Sequence, residues 1–139
     1  MTKNIAFSFV LIAIILVAGM VSCATTQAVD AVHNSKNSLD WEGTYSGRIP
    51  AADGPGIDVE ITLNPDQNIT IVYKYVDRDF SAAGIGKFHW DDTGNVVIYE
   101  NNDFPRYYKV CEGYLLHLDM EGQIITGDLA DHYVLRKHH

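Results

Sequence analysis

The stretch Trp41-Glu42-Gly43-Thr44-Tyr45-Ser46-Gly47-Arg48-Ile49-Pro50 decides how this chain is read. Trp41, Gly43, Tyr45, Gly47 and Ile49 occupy alternate positions. A period of two predicts a strand with one aromatic-rich face. Glycines in alternate slots mark a bend, or the close approach of another backbone. Pro50 is expected to end the strand, Asp53-Gly54-Pro55-Gly56 to turn the chain, and Ile57 to begin the return.

Downstream, seven more strand signals follow: Ile57–Leu63, Ile69–Val76, Phe80–Trp90, Val96–Glu100, Arg106–Cys111, Leu115–Met120 and His132–Arg136. Turn clusters such as Asn64-Pro65-Asp66, Asp91-Asp92-Thr93-Gly94 and Glu112-Gly113 separate them. Strand-and-turn units of about ten residues are the signature of an all-β sandwich or barrel. No 10–15-residue helical pattern separates the strands, which argues against parallel βαβ units, and the short loops predict sequential antiparallel neighbours. Eight such strands can close edge to edge as an up-and-down barrel, which removes exposed sheet edges. Ile57, Val59, Ile61 and Leu63 should face inward, with Ile69, Ile71, Tyr73 and Tyr75, and with Gly86, Phe88 and Trp90. A barrel of this size holds packed side chains or one small ligand, not a channel.

Upstream, Ala24 to Asp40 is small and polar and reads as a flexible tether; His33 within it reads as a solvated loop residue. Before it, Lys3 precedes an apolar run from Ile5 to Val21, at the lower limit of what spans a bilayer. A signal peptide therefore competes with an uncleaved membrane helix. Met20-Val21-Ser22-Cys23 decides for the former, because it reads as a lipobox. The expectation is a leader over residues 1–22, lipid on Cys23, a tether over 23–40 and a folded domain over 41–137. More than one acyl chain is needed for stable anchoring. Ala24, not Asp, follows the cysteine, so the outer membrane is the expected destination.

Composition narrows the function classes. The 139 residues fit one domain. Net charge is −8 and no Lys/Arg run exists, so the electrostatic footprint of nucleic-acid binding is missing. No nucleophile motif, phosphate loop or H-E-x-x-H pattern is present, and the chain reads as a non-enzyme. Cofactors are not called for by any motif. Soft metals need thiol, thioether or imidazole donors. Here those are Cys111, Met120 and the histidines, His117 among them. If Glu112-Gly113 is a two-residue turn, Cys111 pairs with Tyr114, Met120 lies far along the same face, and His117 points to the other. They do not converge, and Cys111 reads as a small buried hydrophobe. His89 and His132 are expected to face outward.

Two blocks resemble the N-terminal domain of the NlpE family of bacterial lipoproteins. The first runs from Trp41 to Ile57, through Gly43, Tyr45, Gly47, Pro50, Asp53, Pro55 and Gly56. The second is Leu116-His-Leu-Asp-Met-Glu-Gly-Gln-Ile-Ile-Thr-Gly-Asp-Leu-Ala-Asp-His-Tyr-Val-Leu-Arg-Lys137. The resemblance implies a lipocalin-like (calycin-like) barrel. It also implies a periplasm-facing, lipid-anchored protein of copper tolerance or envelope stress, with a protein partner in the envelope. The family's C-x-x-C falls on Ala51 and Gly54, so copper handling is implied by the family while its thiols are missing. The alternatives are a carrier of a small apolar ligand and a structural lipoprotein.

Overall fold

The computed structural model describes residues 33–101 and 104–139. Eight strands follow one another around a closed antiparallel barrel in sequence order. They are β1 (Gly43–Ala51), β2 (Gly54–Leu63), β3 (Asn68–Tyr75), β4 (Ser81–Trp90), β5 (Val96–Glu100), β6 (Pro105–Cys111), β7 (Tyr114–His117) and β8 (Val134–Lys137). The register places Tyr45 opposite Ile61, Ile61 opposite Ile71, and Ile71 opposite Gly84. Residues directly opposite share a face. This row therefore lies inside the barrel, and the period of two read in the sequence is its inner lining. Tyr45, Val59, Ile61, Leu63, Ile69, Ile71, Phe88, Tyr99, Tyr108 and Leu135 form the core.

Pro50 does not end β1. The strand continues to Ala51 across a register shift between Ile49 and Ala51. A bulge tolerates proline because no ladder donor is needed there. Gly47 marks the close approach its spacing suggested: a side chain there would meet Val134 O of β8 at 2.6 Å.

The barrel is lopsided. β1 to β4 have eight to ten residues each, whereas β5 to β8 have four to seven. Two expected strands are shorter than their hydrophobic patterns. β7 stops at His117, not Met120, and β8 begins at Val134, not His132. Asp119 takes over after β7: its Oδ1 accepts from the N–H of Glu121 at 3.0 Å and of Gln123 at 2.7 Å. Gly122 at φ +75 completes this turn over the Tyr107 ring. A side-chain carboxylate that captures backbone donors competes with the ladder and wins locally. His132 sits exposed on a 3-10 turn, Ala130–Tyr133, rather than on a strand.

Asn34 to Asp40, read as the end of a flexible tether, is folded onto the barrel. A short helix α1 (Ser35–Ser38) is capped by the Asn34 side chain, which accepts from Asn37 N. Ser35 Oγ donates to Val110 O at 2.8 Å, and Lys36 N donates to Gly94 O at 3.0 Å. Leu39 and Trp41 then pack on the core. A polar composition concealed this strap because it is held by hydrogen bonds rather than by an apolar stripe.

Candidate functional site

Cys23 and the apolar leader lie outside the described residues. The other sequence-designated positions scatter. Ala51 and Gly54 face each other across the β1–β2 turn. Gly54 has φ +151, and a side chain there would meet the Asp77 carboxylate at 3.1 Å. Cys111 pairs with Tyr114 as the hairpin reading expected. Its neighbours Val110 and Leu115 are the buried pair, so Cys111 is on the outer wall and half-buried, not a core residue. Met120 has left the strand in the Asp119 turn and is 61% exposed. His117 pairs with Tyr108 and so belongs to the inner row, opposite to Cys111.

Among the described residues no three His, Cys, Asp or Glu side chains stand close enough to hold a metal. The second family thiol position is a backbone conformation that residues with a Cβ rarely adopt. What occupies that end of the barrel is an ion pair: Arg78, after β3, donates to the Asp53 carboxylate at 2.6 Å and to the Asp53 carbonyl at 3.1 Å.

The polar groups that do converge lie inside the barrel, and sequence reading missed them. Arg106 stands in the inner row of β6 with Tyr108 and Val110. Its guanidinium lies over the Tyr73 ring, 5.2 Å from the centroid. The His117 ring meets Tyr108 edge-on with centroids 5.1 Å apart. His117 Nδ1 donates to Leu118 O at 2.9 Å, leaving Nε2 as the lone-pair nitrogen of the neutral ring. Burial holds the His117 pKa below its ordinary value, although the Leu118 carbonyl raises it. Burial pushes the Tyr108 hydroxyl well above the usual range, helped by neighbouring Tyr73 and opposed by Arg106. The Tyr73 and Tyr108 hydroxyls are buried beside each other and meet no other hydrogen-bond partner among the described residues, and Trp90 Nε1 is buried without one. The only advance signal was weak: Arg106 and Tyr108 share strand parity, but nothing in the pattern said that parity faced inward.

A family model, the NlpE N-terminal domain, matches residues 45–128. The chain belongs to the NlpE N-terminal domain family. Solved structures agree. A protein from Shewanella oneidensis, described as a lipoprotein, is 39% identical with a TM-score of 0.69, over 75% of this chain and 94% of that one. The Cpx pathway activator NlpE from Escherichia coli is 22% identical with a TM-score of 0.53, over 62% of this chain and 46% of that one. At that identity the second likeness bears on the fold. No curated protein matches the chain in sequence. The family resemblance read from the opening and closing blocks is thus shown, as is the eight-stranded barrel it implied. The family's LDMEG block is explained too, since Asp119 and Gly122 build the turn that ends β7.

Proposed function

We propose that this protein is a lipid-anchored envelope protein that acts by binding another envelope protein through its barrel, in stress sensing or copper tolerance, and that it performs no catalysis. The anchor is Cys23, the leader is residues 1–22, and the destination is the periplasmic face of the outer membrane. Residues up to His33 serve as spacer, and the folded unit runs from Asn34 to Lys137. The relatives support this reading: one is described as a lipoprotein and one as an activator of the Cpx pathway.

The observation that carries the contact reading is the outer edge of β4. Strand β5 pairs with β4 only from Phe88 to Trp90, while β3 pairs with it from Ser81 to Lys87. Phe88 N donates to Gln67 O, and Phe80 O accepts from Tyr75 N. Even-numbered residues of β4 therefore turn their backbone groups to β3, and Ala83 and Ile85 turn theirs outward. No described residue pairs with them there. Ile85 is 78% exposed. Sheet edges are normally blunted by charge or proline, and Ser81-Ala82-Ala83-Gly84-Ile85-Gly86 has neither. Such an edge accepts an extended segment as an added strand. Small side chains at Ala82, Ala83, Gly84 and Gly86 leave room for it.

The test is an Ala83→Pro variant. It removes an outward N–H and spares the β3 ladder. Its output in an envelope-stress reporter strain should fall to the level of the empty strain, with an unchanged circular-dichroism spectrum. Full reporter output from that folded variant overturns the contact reading. The anchor is tested separately: a Cys23→Ala protein should no longer take up labelled palmitate or sediment with membranes.

A further inference from the structure

The large hydrophobic side chains left in solvent gather at one end of the barrel. Of the seven exposed ones among the described residues, Val76, Phe80, Phe104, Met120, Ile124 and Leu129 lie between strands, and Ile85 alone lies on one. In an antiparallel meander successive connections alternate between the two ends. The β1–β2, β3–β4, β5–β6 and β7–β8 connections therefore close one end together, and all six residues belong to the last three of these. The opposite end, with the other three connections and the strap, shows no exposed large hydrophobic side chain among the described residues. Hydrophobic residues exposed singly need no explanation, but several on one surface mark an interaction site.

Two grooves run through this end. One, of about 230 Å³, is walled by Phe104, Leu118, Met120 and Ile125, with Asp119, Arg106 and His117 as its polar part. The other, of about 280 Å³, lies between Leu129 and His132 of the β7–β8 connection and Pro50 and Pro55 of the β1–β2 hairpin. The open stretch of β4 begins here too, since Ser81 directly follows Phe80.

The charge of this end specifies its occupant. Its four connections carry seven described carboxylates, from Asp53 to Asp131, and a single guanidinium, Arg78, which Asp53 already matches at 2.6 Å. An anionic lipid surface is repelled by such a face. The strap also brings the N-terminal side of the chain in at the far end, against Gly94 and Val110. Two copies meeting by this end would repel each other for the same reason. The far end is acidic as well, through Asp66, Asp91, Asp92 and Glu112, but it offers no apolar anchor. The hydrophobic residues thus select the place, and the charge selects the partner.

We propose that this end of the barrel docks a cationic segment of the partner protein, whose apolar side chains meet Phe80, Phe104 and Met120 and whose lysines or arginines face the carboxylates. The inference rests on the contact reading above and adds the chemistry of the partner. Aromatic anchors carry most of the energy of such a contact, while the charges around them steer encounter and reject wrong partners.

The experiment titrates the full chain in phosphatidylcholine nanodiscs with fluorescein-labelled peptides, empty nanodiscs being the blank. A repeating Lys-Ser-Val peptide should bind saturably. Lys-Ser-Ser should bind more weakly by about tenfold or more, and Glu-Ser-Val should not bind. A Phe80→Ser, Phe104→Ser variant should lose about tenfold in affinity, as truncated anchors do. An Asp92→Lys, Glu112→Lys variant, altered at the far end, should bind as the unaltered chain does. If the phenylalanine variant fails to fold, the contrast among the three peptides on the unaltered chain still decides. Absence of saturable binding overturns the proposal. So does equal binding of Lys-Ser-Ser or of Glu-Ser-Val, or an equal loss in the far-end variant. The two readings fail separately. A silent reporter in Ala83→Pro without peptide binding keeps the contact and removes its cationic partner. Full reporter output with peptide binding keeps this surface and removes the β4 contact.

Discussion

The ring of Tyr99 fills the space that a side chain at Gly86 would need: a Cβ there would lie 2.8 Å from Cε2. The same ring crosses Gly84, whose Cβ would meet the Tyr99 hydroxyl at 3.1 Å. Two glycines of β4 thus make the recess that lets β5 bring an aromatic residue into the core. Gly86→Ala should destabilise the barrel by about 1–3 kcal/mol through overpacking. Urea unfolding is the measurement. A Gly86→Ala, Tyr99→Leu double variant should lose less than the sum of the two single changes, because the clash is shared.

Ser35 tests whether the strap belongs to the fold. Its hydroxyl reaches Val110 O at 2.8 Å and Asn95 Oδ1 at 3.0 Å. Ser35→Ala should cost about 1–2 kcal/mol, the range for removing hydrogen bonds from a partly buried group. Unchanged stability would return residues 34–40 to the status of a tether. Amide exchange at Lys36, which donates to Gly94 O, should accelerate in the variant.

Tyr45 sets an alkaline limit. Burial pushes its pKa up to about 12, with the charges of Asp40 and Glu112 adding to the effect. The folded state favours the protonated phenol, so the stabilisation is complete below about pH 10, the unfolded value. It is lost as pH rises toward 12. A two-unit shift corresponds to about 2–3 kcal/mol. Tyr45→Phe should lose about 1 kcal/mol at neutral pH, from the bond its hydroxyl donates to Trp41 O at 2.7 Å. It should also flatten the fall of stability between pH 10 and 12. An unchanged slope would mean that other tyrosines carry the titration.

Gly54 tests the missing thiols. Gly54→Cys places a Cβ at φ +151 and 3.1 Å from Asp77. A cost of about 1–3 kcal/mol is expected from the backbone conformation alone. Adding Asp77→Ala should therefore recover only a small part of it. On the unaltered chain, a Cu(I) competition titration should find no site tighter than free histidines provide. A tight site there would show that donors outside the described residues supply copper binding.

Much of this architecture was legible in residue order. The alternation of Ile57, Val59, Ile61 and Leu63, and the turn clusters between strands, state the barrel directly, because a strand's side-chain period is a property of the backbone. The glycine spacing around Gly47 announced a close approach that the register then located at β8. The family's two blocks were readable for the same reason, since Asp119 and Gly122 act through local backbone geometry. The strap was not legible. Its partners Asn95 and Val110 are 60 and 75 residues away from Ser35. Nor were the ends of β7 and β8, where the Asp119 carboxylate and the 3-10 turn at Ala130 outbid the ladder.

The sequence by itself determined the meander, its inner face and the absence of the family's thiols, because each depends on neighbours within a few residues. Only the tertiary structure decided that Arg106 lies over the Tyr73 ring, that the β4 edge lies uncovered by any described residue, and that Gly54 sits in a backbone conformation a cysteine would rarely adopt. Those facts depend on barrel closure, which sets distances between strands far apart in the chain, and on strand lengths that unequal pairing leaves mismatched.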